Sequence, residues 1–431
     1  MDSLDKYYNG NIEIMSPAGS FDSLMAAIQG GAGSVYFGAG QLNMRSKSSS
    51  NFSPEEIKQI VQICTEKGVK SYLTLNTIIY DNELEEMRNM VDIAKESGIT
   101  AIIASDLSVL EYAREKQVEI HISTQCNITN LSAVKFYARY ADVMVLAREL
   151  SISQIAEIVK NIRLQNICGP SGQLVRIEVF VHGALCMAVS GKCYISLDNF
   201  NASANRGACQ QPCRRAYSVK DADSQLELEI ENKYIMSPKD LMTIPILNRL
   251  LDAGVSVLKI EGRGRSAEYV KTVTKTYHEA VKAWCEGQYS SERVEEWTEQ
   301  LRSVYNRGFW GGYYLGEKTG EWSDKYGSQA TSRKISVGKV VNFFNNIKVA
   351  EIKIETHALK VSDDILIIGP TTGVYESKVE ELRVNLVSVE KSVKGENCSL
   401  PVTETLRRGD KVYIVVNQDD VLFQSQTNGI T

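Results

Sequence analysis

Four cysteines crowded into one stretch are the densest concentration of reactive side chains in this sequence. In VHGALCMAVSGKCYISLDNFNASANRGACQQPCRRAY, six residues separate Cys186 from Cys193, fifteen lead to Cys209, and three more to Cys213. The stretch is rich in Gly, Ser, Ala and Asn, so it can fold back and bring four thiolates to one point. Such a donor set suits a four-thiolate zinc site or an iron–sulfur cluster. Zinc sites usually show cysteines paired two to four residues apart, which only Cys209 and Cys213 approach, so the wide spacing leans toward a cluster. The alternatives are four separate buried thiols, or a nucleophile pair of Cys186 with His182. Of the other five cysteines, Cys64 and Cys285 lie in helical patterns and read as core residues. Cys126 follows a strand end and stays open for a site role, and Cys168 and Cys398 are scattered.

The elements that must hold this loop are short β-rich runs alternating with helices over the first 265 residues. Nine candidate strands begin at Ile12, Ser34, Ser71, Ala101, Glu119, Val143, Arg176, Tyr234 and Ser256. Each is a β-branched run bounded by polar residues or glycine, as in strands buried on both faces. Between them lie segments such as SPEEIKQIVQICTEKG, where Ser53 can cap a helix and Gly68 can end it. The alternation predicts an α/β fold, a (β/α)8 TIM-like barrel with one strand too many; an open doubly wound sheet is the alternative. Residues 266–330 read as mainly helical. From Ser332 the pattern turns to period two without helices, which predicts a small all-β barrel. The expected domains are therefore 1–325, carrying the cysteine loop at 184–215, and 330–431.

A barrel places its active site at the carboxyl ends of the strands. The polar residues there are Asn43, Arg45, Asn76, Asp106, Gln125, Asn127, Arg148, Glu149, His182, Lys239, Asp240, Glu261 and Arg263. His182, Glu149 and Glu261 are the candidate catalytic groups. Arg45, Asn76, Gln125, Arg148 and Arg263 are the candidate substrate-binding groups, since guanidinium forks grip carboxylates or phosphates bidentately. Ordinary ion pairing or helix capping explains any one of them equally well. Basic residues also gather at Lys192, Arg206, Arg214 and Arg215, and at Lys259, Arg263 and Arg265. They read either as a mouth that attracts an anionic partner such as RNA or as solvated loop charges.

The remaining sequence bounds the class. Across 431 residues, 48 Lys and Arg stand against 53 Asp and Glu, a net charge of −5, with 43% hydrophobic residues. That composition excludes disorder and argues against non-specific nucleic-acid binding. No apolar run reaches membrane-spanning length and the start lacks a signal-peptide layout, so a soluble, unexported, cytoplasmic protein without disulfides is expected. There is no HExxH, no GxSxG and no triad at recognisable spacing.

The segment from Glu178, EVFVHGALC, through GKCYIS resembles the signature of the collagenase-like peptidases, class U, family 32. The likeness extends to IMSPAGSFDSLMAAIQGGAGSVYFG, HISTQCNITN, LARELS and LKIEGRGRS. The resemblance implies a (β/α)8-type barrel whose Cys186, Cys193, Cys209 and Cys213 hold a 4Fe-4S iron–sulfur cluster. Several members of this family are oxygen-independent hydroxylases rather than peptidases. One barrel followed by a short β domain is most similar to the branch that makes 5-hydroxyuridine at the tRNA wobble position with prephenate. The tail resembles the β-barrel second domain of translation elongation factors, which adds to the case for an RNA partner. Hydroxylation of ribosomal RNA or a small molecule, proteolysis, and a non-catalytic RNA-binding scaffold remain the alternatives.

Overall fold

The structure, a computed structural model, describes residues 12–47, 51–218, 234–317 and 319–418. Its strands are β1 (Glu13–Pro17), β2 (Ser34–Gly38), β3 (Lys70–Leu75), β4 (Ala101–Ala104), β5 (Glu119–Ile122), β6 (Val143–Val145), β7 (Arg176–Gly183), β8 (Asp240–Met242), β9 (Val257–Ile260) and β10 (Phe309–Trp310). Strands β1 to β7 pair in parallel in chain order, and β9 pairs in parallel with both β7 and β1. Eight parallel strands therefore close into a barrel wrapped by helices. The surplus strand expected from Tyr234 is a turn there, and only at Asp240 does β8 begin; it pairs antiparallel with the end of β7 and parallel with β10, outside the ring.

The closure explains the near-continuous burial of these short strands, since one face meets the helices and the other the lumen. The helix expected after Ser53 forms as a turn at Pro54–Glu56 leading into Ile57–Glu66. The Ser53 N–H donates to Glu56 Oε2 at 2.7 Å, and Gly68 ends the segment at φ +67°. The lumen has its own apolar cluster, Met15, Tyr36, Tyr72, Ala101, Ile103, Val143 and Val257, apart from the larger core between strands and helices. Cys64 is buried in that outer core, whereas Cys285 lies exposed at the end of helix Ala267–Cys285. The core role expected for Cys285 fails because its position falls on the solvent side of the helix's last turn.

From Ser332 the chain forms an eight-stranded antiparallel sheet over a separate core that includes Val337, Ile352, Ile367 and Cys398. Bulges between Ser336 and Gly338 and between Val340 and Asn342 bend its longest strand, Ser332–Phe344. The sheet is docked on the barrel. The Gln29 side chain donates to Thr372 O and accepts from Val374 N, both at 2.9 Å, and Lys271 pairs with Glu376 at 2.9 Å. No helix among the described residues is long and apolar enough to cross a membrane.

Candidate active site

The loop that follows β7 folds over the carboxyl ends of the strands and roofs a cavity of about 130 Å³. Backbone bonds stitch it to the neighbouring strand-end loops, Lys47 N to Gly207 O and Ile78 N to Asn205 O, each 3.2 Å. Gly207 sits at φ +71°, and a Cβ there would lie 2.3 Å from Asn43 O, so only glycine lets these loops approach so closely. Arg206 forks onto Glu83 and Ile78 O. Arg214 donates to Leu185 O and Pro238 O at 2.6 Å and to Ser237 Oγ at 3.0 Å. Two of the four loop cations read as a basic mouth are thus clamps that hold the loop shut. In the second basic group, Lys259 and Arg263 line the cavity and Arg265 stacks on Tyr305.

Cys186, Cys193, Cys209 and Cys213 all line this cavity. Burial pushes the thiols of Cys209 and Cys213 up. The nearby cysteines add to that, while Arg45 beside Cys209 and Arg214 beside Cys213 pull the other way. Among the described residues no three Cys, His, Asp or Glu side chains close around a point as a single-ion site. The four thiols thus share one cavity with cationic groups without closing on a common point.

The opposite wall is polar and cationic. Arg45 Nη2 meets Glu261 Oε1 at 2.7 Å, and Arg263 Nη1 donates to Thr74 Oγ1 at 2.8 Å and Asn43 Oδ1 at 3.0 Å. Burial alone would raise the Glu261 carboxyl, but Arg45, Arg263 and Arg148 outweigh it and hold it at about 2. Burial lowers Arg263 to about 10. Four cations line the cavity, Arg45, Arg148, Arg263 and Lys259, against Glu261 and the Glu178 that pairs with Lys259 at 2.7 Å. Among the described residues the cations at this wall outnumber the carboxylates. Arg148 Nε and Thr124 Oγ1 are buried at the cavity wall without a hydrogen-bond partner, a costly state unless a ligand supplies acceptors. The cavity is therefore built for a small anion held next to the thiols.

Of the residues singled out from sequence, Arg45, Asn76, Gln125, Arg148, Glu261 and Arg263 line the cavity together with the four cysteines. Asn43 sits behind it, bonded to Arg263, and Asn76 donates to Ser123 Oγ and Gln125 Oε1. His182 and Glu149 do not line it. His182 is packed among Tyr269, Tyr277 and Phe309, and burial, with Arg265 nearby, lowers its imidazole to about 3, so it stays neutral. Glu149 is exposed. Asp106 caps helix Leu107–Glu115 through Ser108 N, Lys239 pairs with Glu321, and Asp240 meets Arg307. The sequence reading missed Tyr36, Thr74, Ser123 and Phe180, which line the cavity from mid-strand or strand-end positions. Polar or aromatic side chains inside apolar strand runs were the available signal.

Residues 19–324 match the family model described as peptidase family U32. The chain belongs to that family. A collagenase of Porphyromonas gingivalis is 57% identical over 94% of this chain and 97% of its own length. The tRNA hydroxylation protein P1 of Bacillus subtilis is 29% identical over 86% of each chain. A 23S rRNA 5-hydroxycytidine synthase of Escherichia coli is 35% identical over 69% of this chain and 44% of its own. The U32 family thus holds proteins named for RNA hydroxylation beside proteins named as collagenases, on the barrel that carries this cavity.

Proposed function

We propose that this U32 protein is a tRNA hydroxylase that makes 5-hydroxyuridine at the wobble position, with prephenate as co-substrate and a 4Fe-4S cluster on Cys186, Cys193, Cys209 and Cys213. The observation that carries the reading is the juxtaposition of four thiols with several guanidinium groups around one cavity. When bound, the cluster would supply the electron-transfer or substrate-anchoring capacity that no side chain offers. Arg45, Arg148 and Arg263 suit the two carboxylates of prephenate, because planar forks match carboxylates in bidentate pairs. Glu261 orients Arg45 and limits the charge excess. The roof loop keeps water from the bound anion, which strengthens each of these contacts.

The names of the RNA-hydroxylating relatives support an RNA substrate, and those of the collagenases support the competing reading, proteolysis. A peptidase needs an activated nucleophile. Among the described residues no histidine hydrogen-bonds a cysteine or serine side chain; His121 meets Glu119 and His357 a backbone carbonyl.

The test combines colour and nucleosides. Anaerobically purified protein should be brown with about four iron atoms per chain, and Cys209→Ala should bleach it. Deleting the gene, or introducing Cys209→Ala, should lower 5-hydroxyuridine in bulk tRNA measured by mass spectrometry. Unchanged nucleosides, with any oxygen-dependent route to the same product removed, would refute the tRNA reading. Gelatin cleavage that survives Cys186→Ala would favour a peptidase acting through other residues.

A further inference from the structure

The lumen of a (β/α)8 barrel is normally filled by branched apolar side chains. Here a line of ionisable groups crosses it. Glu119, on the first position of β5, is half exposed and lines a second cavity of about 560 Å³ at the amino ends of the strands. Its Oε1 lies 3.4 Å from Nε2 of His121, which is fully buried. On the far side of that ring, Nδ1 faces Glu178 Oε2 at 3.8 Å. Neither atom has another hydrogen-bond partner. Glu178 Oε1 in turn accepts from Lys259 Nζ at 2.7 Å, and Lys259 lines the cysteine cavity.

Each link is a group that can both give and take a proton, and the imidazole stands between two carboxylates with one nitrogen toward each. Burying two carboxylates, an ammonium and an imidazole costs several kcal/mol per charge unless they are well paired. A structural clamp needs only the Glu178–Lys259 pair; His121 and its open contact to Glu178 add nothing to it. The surroundings insulate the line. Tyr72 packs against His121 with centroids 4.5 Å apart and rings tilted at 51°, while its hydroxyl donates to Glu13 at 2.6 Å. Glu13 is itself neutralised by Lys70 and Arg176. The rings of Tyr36 and Phe180 cover the Lys259 ammonium.

We propose that Glu119, His121, Glu178 and Lys259 form a proton relay through the barrel axis, connecting water at the amino-end cavity to the inner wall of the cavity beside the cysteines. Lys259 hands one proton to a basic atom of the bound substrate. His121 Nδ1 then protonates the Glu178 carboxylate, which passes that proton to the neutral Lys259 amine, while His121 takes one at Nε2 from Glu119, itself protonated from solvent. One proton moves the length of the line, no electron is transferred, and the reverse order carries a proton out. The relay gives the buried inner wall of the cavity, at Lys259, a proton route separate from the cavity mouth. It holds whichever anion the cavity takes.

The chain has four histidines, so nitrogen-15 histidine NMR of the full-length protein resolves His121, with His121→Gln identifying its signal. The ring N–H of a buried, static histidine exchanges with water slowly; the relay predicts fast exchange in the wild type. Glu119→Gln, at a half-exposed position that tolerates the change, should slow that exchange by about tenfold or more, and Glu119→Asp should recover most of it. Slow exchange in the wild type that is unmoved by Glu119→Gln would overturn the relay and leave a static ion-pair network. Fast exchange in the wild type that Glu119→Gln leaves unchanged would overturn it as well, by placing proton entry elsewhere. The readout uses no substrate, so failure of the tRNA assignment would leave this result standing.

Discussion

Replacing Glu261 by Gln removes the carboxylate that sits among three guanidinium groups and keeps its shape. In the wild type the carboxyl is held at about 2 against an ordinary value of 4.5, the pull of Arg45, Arg263 and Arg148 exceeding the opposing effect of burial. A difference of about 2.5 units corresponds to about 3 kcal/mol of stability at neutral pH. The sign follows from the direction: a depressed acid stabilises the fold fully above 4.5, and the contribution fades as pH falls toward 2. In Glu261→Gln the three cations repel one another without a counter-charge, so this stability is lost at pH 7. For a chain of this size the melting temperature should drop by about 3 °C. The assay is urea and thermal unfolding of wild type and variant from pH 7 down to pH 3, with the metal content of both preparations matched. The gap should be widest at pH 7, and by pH 3 should narrow to less than half of about 3 kcal/mol. Equal stability at pH 7, or a gap independent of pH, would refute the charge argument for this wall. Addition of a dicarboxylate should stabilise the variant more than the wild type, because the ligand restores the missing negative charge.

Two further predictions concern residues outside the charged wall itself. His182, held near 3 by burial, stays neutral in the folded protein while the unfolded chain protonates below 6.5. The wild type should therefore lose about 1.4 kcal/mol per pH unit on acidification from 6.5 to 5, a slope that His182→Phe should lack in urea titrations while tRNA modification persists. Gly38 ends β2 where a Cβ would lie 2.5 Å from Arg263 Nη1. Gly38→Ala should displace that guanidinium and, if the proposed co-substrate is right, weaken prephenate binding about 10- to 100-fold by calorimetry, as expected for one lost charge-assisted contact.

Much of this was legible in the residues alone. Period-two runs, β-branched strands and capping residues such as Ser53 depend on neighbours a few positions away, so eight barrel strands and the change of pattern at Ser332 could be read in order along the chain. Strand-end positions similarly marked Arg45, Arg148, Glu261 and Arg263. What the sequence could not decide depends on contacts between residues far apart in the chain. Proximity to Cys186 made His182 attractive, yet β7 turns its ring into an aromatic pocket away from the cavity. Arg206 and Arg214 had the composition of an RNA-binding loop, and only closure of the loop onto Glu83 and Leu185 spends them as clamps. The surplus strand could be settled only when β9 was seen to close the ring with β1, leaving β8 outside. The polar line through the lumen was hidden for the same reason. Glu119, Glu178 and Lys259 sit in three separate strands, and each looks like an isolated charge until barrel closure sets them around His121. Local pattern thus determined which elements form and which chemistry the chain carries. The tertiary structure decided which side chains share a cavity, because strand pairing and burial fix distances that sequence separation does not.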